Sequence, residues 1–412
     1  MATANIFPVS LDRVKAPIVQ SNSKPTRNFA IGYLRAFVVV LVVAHHAALA
    51  YDPYGPPPPK SLIAQPRWWQ AFPIIDPQHW SGFAIFVSFN DIFFMSLMFL
   101  LSGLFVWQSL RRKGSKVFLR DRLQRLGIPF VVAAAVIAPL AYYPAYLQTG
   151  SVTGIVGFWQ QWRTLGNWPS GPAWFVWVLL VFDGVAALLF LAAPRWGEII
   201  GRACGGGSRR PFLFFARLAV ISAMAYLPME LVFDSLRWTA FGPFTFQTAR
   251  ILHYLAYFII GVGIGAYGID RGLLAATGNL VKRWFLWVCA ALLTFGLALI
   301  CFIAGLIHPG VHFWRLASDV AFVLSCAVSS FAFLSLFVRF MNAPNKIWTS
   351  LSDNSYGIYL VHYAFVSWLQ YALLRTHVSA VAKGSIVFLG ALLLSWSAVA
   401  AIRRIPAVAR IV

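Results

Sequence analysis

Ten apolar runs, each near the roughly twenty residues a helix needs to cross the hydrocarbon core of a bilayer, divide this chain of 412 residues. They fall at 28–51, 85–107, 129–146, 172–193, 212–233, 249–267, 284–306, 318–340, 355–374 and 384–402. With 60% hydrophobic and 11% charged residues, the composition is that of a polytopic membrane protein. The fold class expected is all-α, a polytopic integral membrane helical bundle of about ten transmembrane helices. Alternating strands of an outer-membrane barrel are not seen, nor is a fixed-period repeat. The fifth run, which ends in Glu230 and Asp234, carries the weakest signal.

Alternate loops then receive 25 of the 33 Lys and Arg on the side of the N-terminal tail and 8 on the other. Positive loops stay inside, so both termini are expected in the cytoplasm and the net charge of +21 is an orientation signal. Nucleic-acid binding is not expected, because the basic loops carry no recognition module. The domains expected are a flexible basic cytoplasmic tail at 1–27, a ten-helix membrane domain at 28–404 and a short cytoplasmic tail at 405–412. No short apolar stretch with a cleavage site precedes residue 28, so the first run reads as a retained anchor. The loop at 52–81, with prolines at 56–59 and the pair Trp68 and Trp69, is too polar and broken to span, and is expected to cap the outer face. Trp159, Trp162 and Trp168 fit the interfacial aromatic belt. Cys204, Cys289, Cys301 and Cys326 have no metal-like spacing, and no metal site is expected. The glycine-rich 205–210 lacks the Gly-Lys-Ser/Thr end of a phosphate-binding loop.

Ionisable residues inside a bilayer are costly, and their default reading is a functional site turned to the protein interior. The first run carries Arg35 and, eleven residues on, His46. At about 100° and 1.5 Å per residue this step returns nearly to one face, about 16 Å along the axis, so the two are expected to line one internal channel. His45 points about 100° away. An imidazole takes a proton from a hydroxyl near neutral pH, which makes His46 the candidate base; a structural histidine is the plain alternative. Arg35 is placed to meet a phosphate or a carbonyl from the cytoplasmic side, unless it snorkels to the headgroups. Arg122 and Arg125, three apart, are expected to present two guanidinium forks to phosphate oxygens from one helical face, although positive-inside topology also accounts for them. Asp91, Asp183 and Asp319 each need a partner or a wet site. His362 is expected to be buried, while His253, His308 and His312 read as interfacial.

Together these segments resemble the integral-membrane acyltransferase-3 family. The resemblance rests on the basic residue, ten intervening residues and His of Arg35 and His46, on Phe93-Phe94 through Ser102-Gly103, on the Arg-x-x-Arg step of Arg122 and Arg125 before Pro129, and on Ser355 through His362. The stretch from Gly171 to Asp183 looks closest to the branch of glucan-biosynthesis succinyltransferases. Two adjacent arginines often precede the Arg-x-x-Arg step in the family, whereas Asp121 separates Arg120 from Arg122 here. Many members append a soluble hydrolase-like domain after the tenth helix, which this chain is expected to do without.

The resemblance implies a multi-pass O-acyltransferase of the bacterial inner membrane. It would move an acetyl or succinyl group from acyl-CoA, as co-substrate, to a hydroxyl of an envelope glycan. His46 would be base or acyl carrier and Arg35 its catalytic neighbour. Arg122, Arg125 and Arg35 would hold acyl-CoA, and Asp91, His362 and Tyr359 the acceptor. Other readings of the same residues are a transporter or flippase whose Arg and His line a substrate path, a scaffold in an envelope-polymer assembly, and an acyltransferase acting on a small molecule. The lipid bilayer, acyl-CoA and a glycan are the partners expected, and self-association is left open.

Overall fold

Asn28 starts the bundle. Its side-chain oxygen accepts the Ile31 N–H at 3.1 Å and caps helix α1, Phe29–Leu49. The computed structural model describes residues 28–64, 70–151, 153–235 and 237–411. The basic tail at 1–27 and the pair Trp68 and Trp69 lie outside the described residues.

The loop after α1 leads to α2, Ser81–Gly103, and α3, Val106–Arg122. Gly114, at φ +72°, breaks α3 where a side chain would be strained. The chain continues through a π-helical turn at Leu123–Gly127, α4 at Ile128–Val132, a second π turn at Ala133–Ile137 and α5 at Ala138–Gln148. Next come α6, Gly154–Thr164; α7, Trp174–Ala192; α8, Trp196–Cys204; and α9, Pro211–Phe233. A two-stranded antiparallel hairpin, Trp238–Phe241 with Phe244–Gln247, follows. The C-terminal half holds α10, Ile251–Tyr267; α11, Asn279–Lys282; α12, Trp284–Ile307; α13, His312–Phe340; α14, Lys346–Leu373; α15, Ala380–Ile402; and α16, Pro406–Ala409.

The architecture is an all-α polytopic membrane bundle. Among the described residues, eight segments are long and apolar enough to cross a bilayer: α1, α2, 106–148, 171–192, α9, α12, α13 and α15. Two of the ten expected runs fall short for opposite reasons. Helix α10 is apolar but has only 17 residues. Helix α14 begins at Lys346, nine residues before the expected start, because Asn345 accepts the N–H groups of Ile347 and Trp348 and caps a polar first stretch. The expected loop at 147–171 also contains a helix, α6, whose Phe158 and Trp162 are buried beside Tyr142 and Tyr146.

Helix α1 is the hub, packed by α2, α13, α14 and α15. Helix α10 lies against α2 at backbone distance. A Cβ on Gly261 would meet the Leu100 carbonyl oxygen at 2.1 Å, and one on Gly265 the Leu104 oxygen at 1.8 Å, so this seam admits only glycine. Helix α12 pairs with α13 and leaves Leu292, Leu293 and Ile300 exposed on an apolar outer face, as a lipid-facing helix does.

Candidate active site

Helices α1 and α14 run side by side, and their polar residues meet along the seam. At one end the Tyr33 hydroxyl lies 2.8 Å from Thr349 Oγ1 and 3.3 Å from the Asn345 carbonyl oxygen. At the other, Gln370 donates from Nε2 to the His46 carbonyl oxygen at 2.9 Å, beside the Ala47 oxygen at 3.3 Å. Between these clamps sit three histidines.

His46 Nδ1 lies 2.8 Å from the Val42 carbonyl oxygen, and His362 Nδ1 2.7 Å from that of Tyr359. Carbonyl oxygens only accept, so in each neutral ring the proton is on Nδ1 and Nε2 is bare. His362 Nε2 lies 3.2 Å from His46 Nδ1 and is thus a second acceptor for the same N–H. His46 Nε2 makes no hydrogen bond among the described residues, and the His46 side chain is half-buried where His362 is fully buried. The Tyr363 ring meets the His46 ring edge-on at 4.9 Å. One nitrogen lone pair on a ring fixed by two acceptors can take a proton or attack a carbonyl carbon. His45, buried, turns instead to Phe94 at 5.1 Å, and its Nδ1 has no hydrogen-bond partner among the described residues.

The other residues singled out from sequence are distributed around this pair. Arg35 is on the same continuous helix, three turns away, with its side chain exposed. The Tyr359 hydroxyl donates to the Pro172 carbonyl oxygen, which ties α14 to the start of α7. Arg122 and Arg125 do not share a partner. A π turn begins between them and widens the step, so Arg122 ion-pairs through Nε with the buried Asp183 at 3.2 Å and stacks on Phe118, while Arg125 is exposed. Asp91 is held by Arg250, Nη2 to Oδ2 at 2.7 Å and Nη1 to its carbonyl oxygen at 3.1 Å. Among the described residues, no group of three or more His, Cys, Asp or Glu is placed to hold a metal.

Three features have no counterpart in the sequence reading. His253, expected at the interface, is fully buried: Nδ1 lies 2.8 Å from Ser222 Oγ and Nε2 3.1 Å from Ser96 Oγ, stitching α2, α9 and α10. Its two serines are remote in sequence, so nothing local marked the burial. Asp76, in the loop between α1 and α2, and Lys383, in α15, form a fully buried ion pair at 2.7 Å. A lysine inside a helix of otherwise apolar and small residues was the available signal. Gln370 was visible only as one amide in an apolar run.

Residues 28–400 match the acyltransferase domain family. Proteins named glucans biosynthesis protein C, from Salmonella gallinarum and Salmonella typhimurium, are 23% identical to this chain over 248 and 242 residues. Each match covers 57% of this chain and 57% of the relative, so the chain spans little more than half the length of these curated relatives. No solved structure matches.

Proposed function

Because the chain belongs to the acyltransferase family, we propose that it is a membrane O-acyltransferase in which His46 is the general base. The observation that carries this is the bare Nε2 of a half-buried His46 whose opposite nitrogen is held by Val42 and His362. Acyl-CoA, carrying an acetyl or succinyl group, enters from the cytoplasmic side of a bacterial inner membrane. Arg35 and Arg125 supply positive charge on its path, and Arg122 is anchored by Asp183. The acceptor is a hydroxyl of an envelope glycan reaching His46 from the outer side; the glucan in the relatives' name motivates this choice.

In the step, His46 Nε2 takes the hydroxyl proton as the oxygen attacks the thioester carbon. The C–O bond forms, the C–S bond breaks, and the departing CoA sulfur takes the proton from the imidazolium. Developing imidazolium charge strengthens the Nδ1–H bonds to Val42 and His362, so the arrangement favours the transition state over the ground state. His362 is accordingly a positioning residue. The sequence reading gave it to the acceptor, but it is fully buried against His46.

Sealed inside-out vesicles loaded with glucan test donor and side together. With acetyl-CoA or succinyl-CoA added outside, the proposal expects CoA release and a matching mass gain on the enclosed glucan. Consumption of neither donor, with the glucan unmodified, would overturn it.

A further inference from the structure

Beyond the outer ends of α1, α5 and α14 lies a cavity of about 650 Å³, in the size range of small-molecule sites. Pro56, Pro57 and Pro58, His79, Gln148 and Leu374 are among the residues that line it. Building on the acyltransferase reading above, we infer that this cavity holds an uncharged sugar segment of the acceptor while its hydroxyl reaches His46.

One side of the site is built, since the stretch at Ile75 and Asp76 is held by three separate elements. Gln148 clamps Ile75 twice, Nε2 to the carbonyl oxygen at 2.6 Å and Oε1 to the N–H at 3.1 Å. The Asp76 N–H donates to the Ala50 carbonyl oxygen at 3.0 Å, at the end of the helix that carries His46. The buried Lys383 then holds the Asp76 carboxylate at 2.7 Å. A loop without these ties would be a mobile strap; with them it is a rigid rim.

Charge selects the occupant. Among the described residues, Asp76 is the one acid in the lining and is neutralised by Lys383, and no Lys or Arg lines the cavity. An anionic headgroup or a phosphate finds no cation there, whereas an uncharged ring needs only apolar faces and a few polar atoms. The prolines supply the faces, and the exposed rings of Tyr54 and Trp80 flank the prolines and His79 in sequence. The cavity also lies beyond the His46 end of the α1–α14 seam. Leu374 in its lining is one helical turn, about 6 Å, beyond Gln370, whose amide holds the His46 carbonyl.

The test is calorimetric titration of an uncharged glucan oligosaccharide into the detergent-solubilised full chain with no donor present. Wild type is expected to saturate. His79→Ala and Pro57→Glu, both at exposed positions and checked for unchanged thermal unfolding, are each expected to weaken binding about tenfold or more, as is an acidic oligosaccharide of equal length. Equal binding by wild type and both variants, no binding by wild type, or equal binding of the acidic sugar would overturn the inference. Acyl transfer in the same preparations separates the two readings. Transfer that survives with unaltered sugar binding in the variants places the acceptor elsewhere and keeps the acyltransferase, whereas cavity-dependent binding without transfer from any donor keeps the cavity and removes the acyltransferase.

Discussion

Replacing Lys383 by Met removes one half of an ion pair in which both side chains are 0% exposed. Among the described residues, the Asp76 carboxylate then keeps a single donor, the Gln78 N–H at 2.8 Å on Oδ1, and Oδ2 is left without its ammonium partner. Breaking a buried pair in this way costs about 3–5 kcal/mol, whereas replacing both partners by apolar groups of similar size is nearly neutral. Because Asp76 sits in a loop, the cost falls on opening of that loop. The hydrogen-bonded amides around the pair include Ile75, bonded to Gln148; Asp76, bonded to Ala50; and Gln78, bonded to Asp76. Hydrogen exchange at these three amides is therefore expected to accelerate about a hundredfold or more in Lys383→Met, since each 1.4 kcal/mol is about a factor of ten. The double variant Asp76→Leu with Lys383→Met is expected to recover most of the protection at Ile75 and Asp76, while Gln78, whose acceptor is the Asp76 carboxylate, stays open. Exchange within about threefold of wild type in the single variant, or a double variant that opens as readily as the single at Ile75 and at position 76, would refute the reasoning.

Two further outcomes follow from particular side chains. Burial raises the Cys204 thiol to about 11, against a weaker opposing pull from Arg217, so at pH 8 only about one molecule in a thousand is thiolate. Alkylation followed by mass spectrometry should find Cys204 reacting roughly two-hundredfold more slowly than a free thiol at pH 8, and speeding up about tenfold per pH unit to pH 10. His362→Ala removes one of the two acceptors of the His46 N–H and leaves Val42, so turnover should fall only about 2- to 12-fold, the worth of one neutral hydrogen bond. His362→Gln, whose amide oxygen accepts the same N–H, should recover most of that loss, which loss of packing alone would not allow.

The bundle was legible because its signal is compositional. An apolar run of about twenty residues has few fates, and every run expected contains a helix. Its edges were less legible. Asn345 extends α14 into a polar stretch by capping it, and the hydroxyls there find partners such as Tyr33 from another helix. The pairing of Arg122 with Arg125 was read from ideal α-helical spacing, which the intervening π turn does not keep. Arg35 and His46 are on one helix as read, but the partner that orients His46 lies 316 residues away, and no local pattern links them. His253 and the Asp76–Lys383 pair were missed for the same reason. Their meaning depends on which helices are neighbours, and hydropathy does not encode that.

In the proposed step, His46 Nε2 takes the acceptor proton. Turnover by wild type and His46→Ala, compared at saturating donor and glucan in preparations of matched thermal stability, tests it directly. Loss of a general base predicts a fall in acylated glucan of about 10²- to 10⁴-fold with the His46→Ala chain still folded. Turnover of His46→Ala within about tenfold of wild type would contradict the account and return His46 to the role of a structural histidine between α1 and α14.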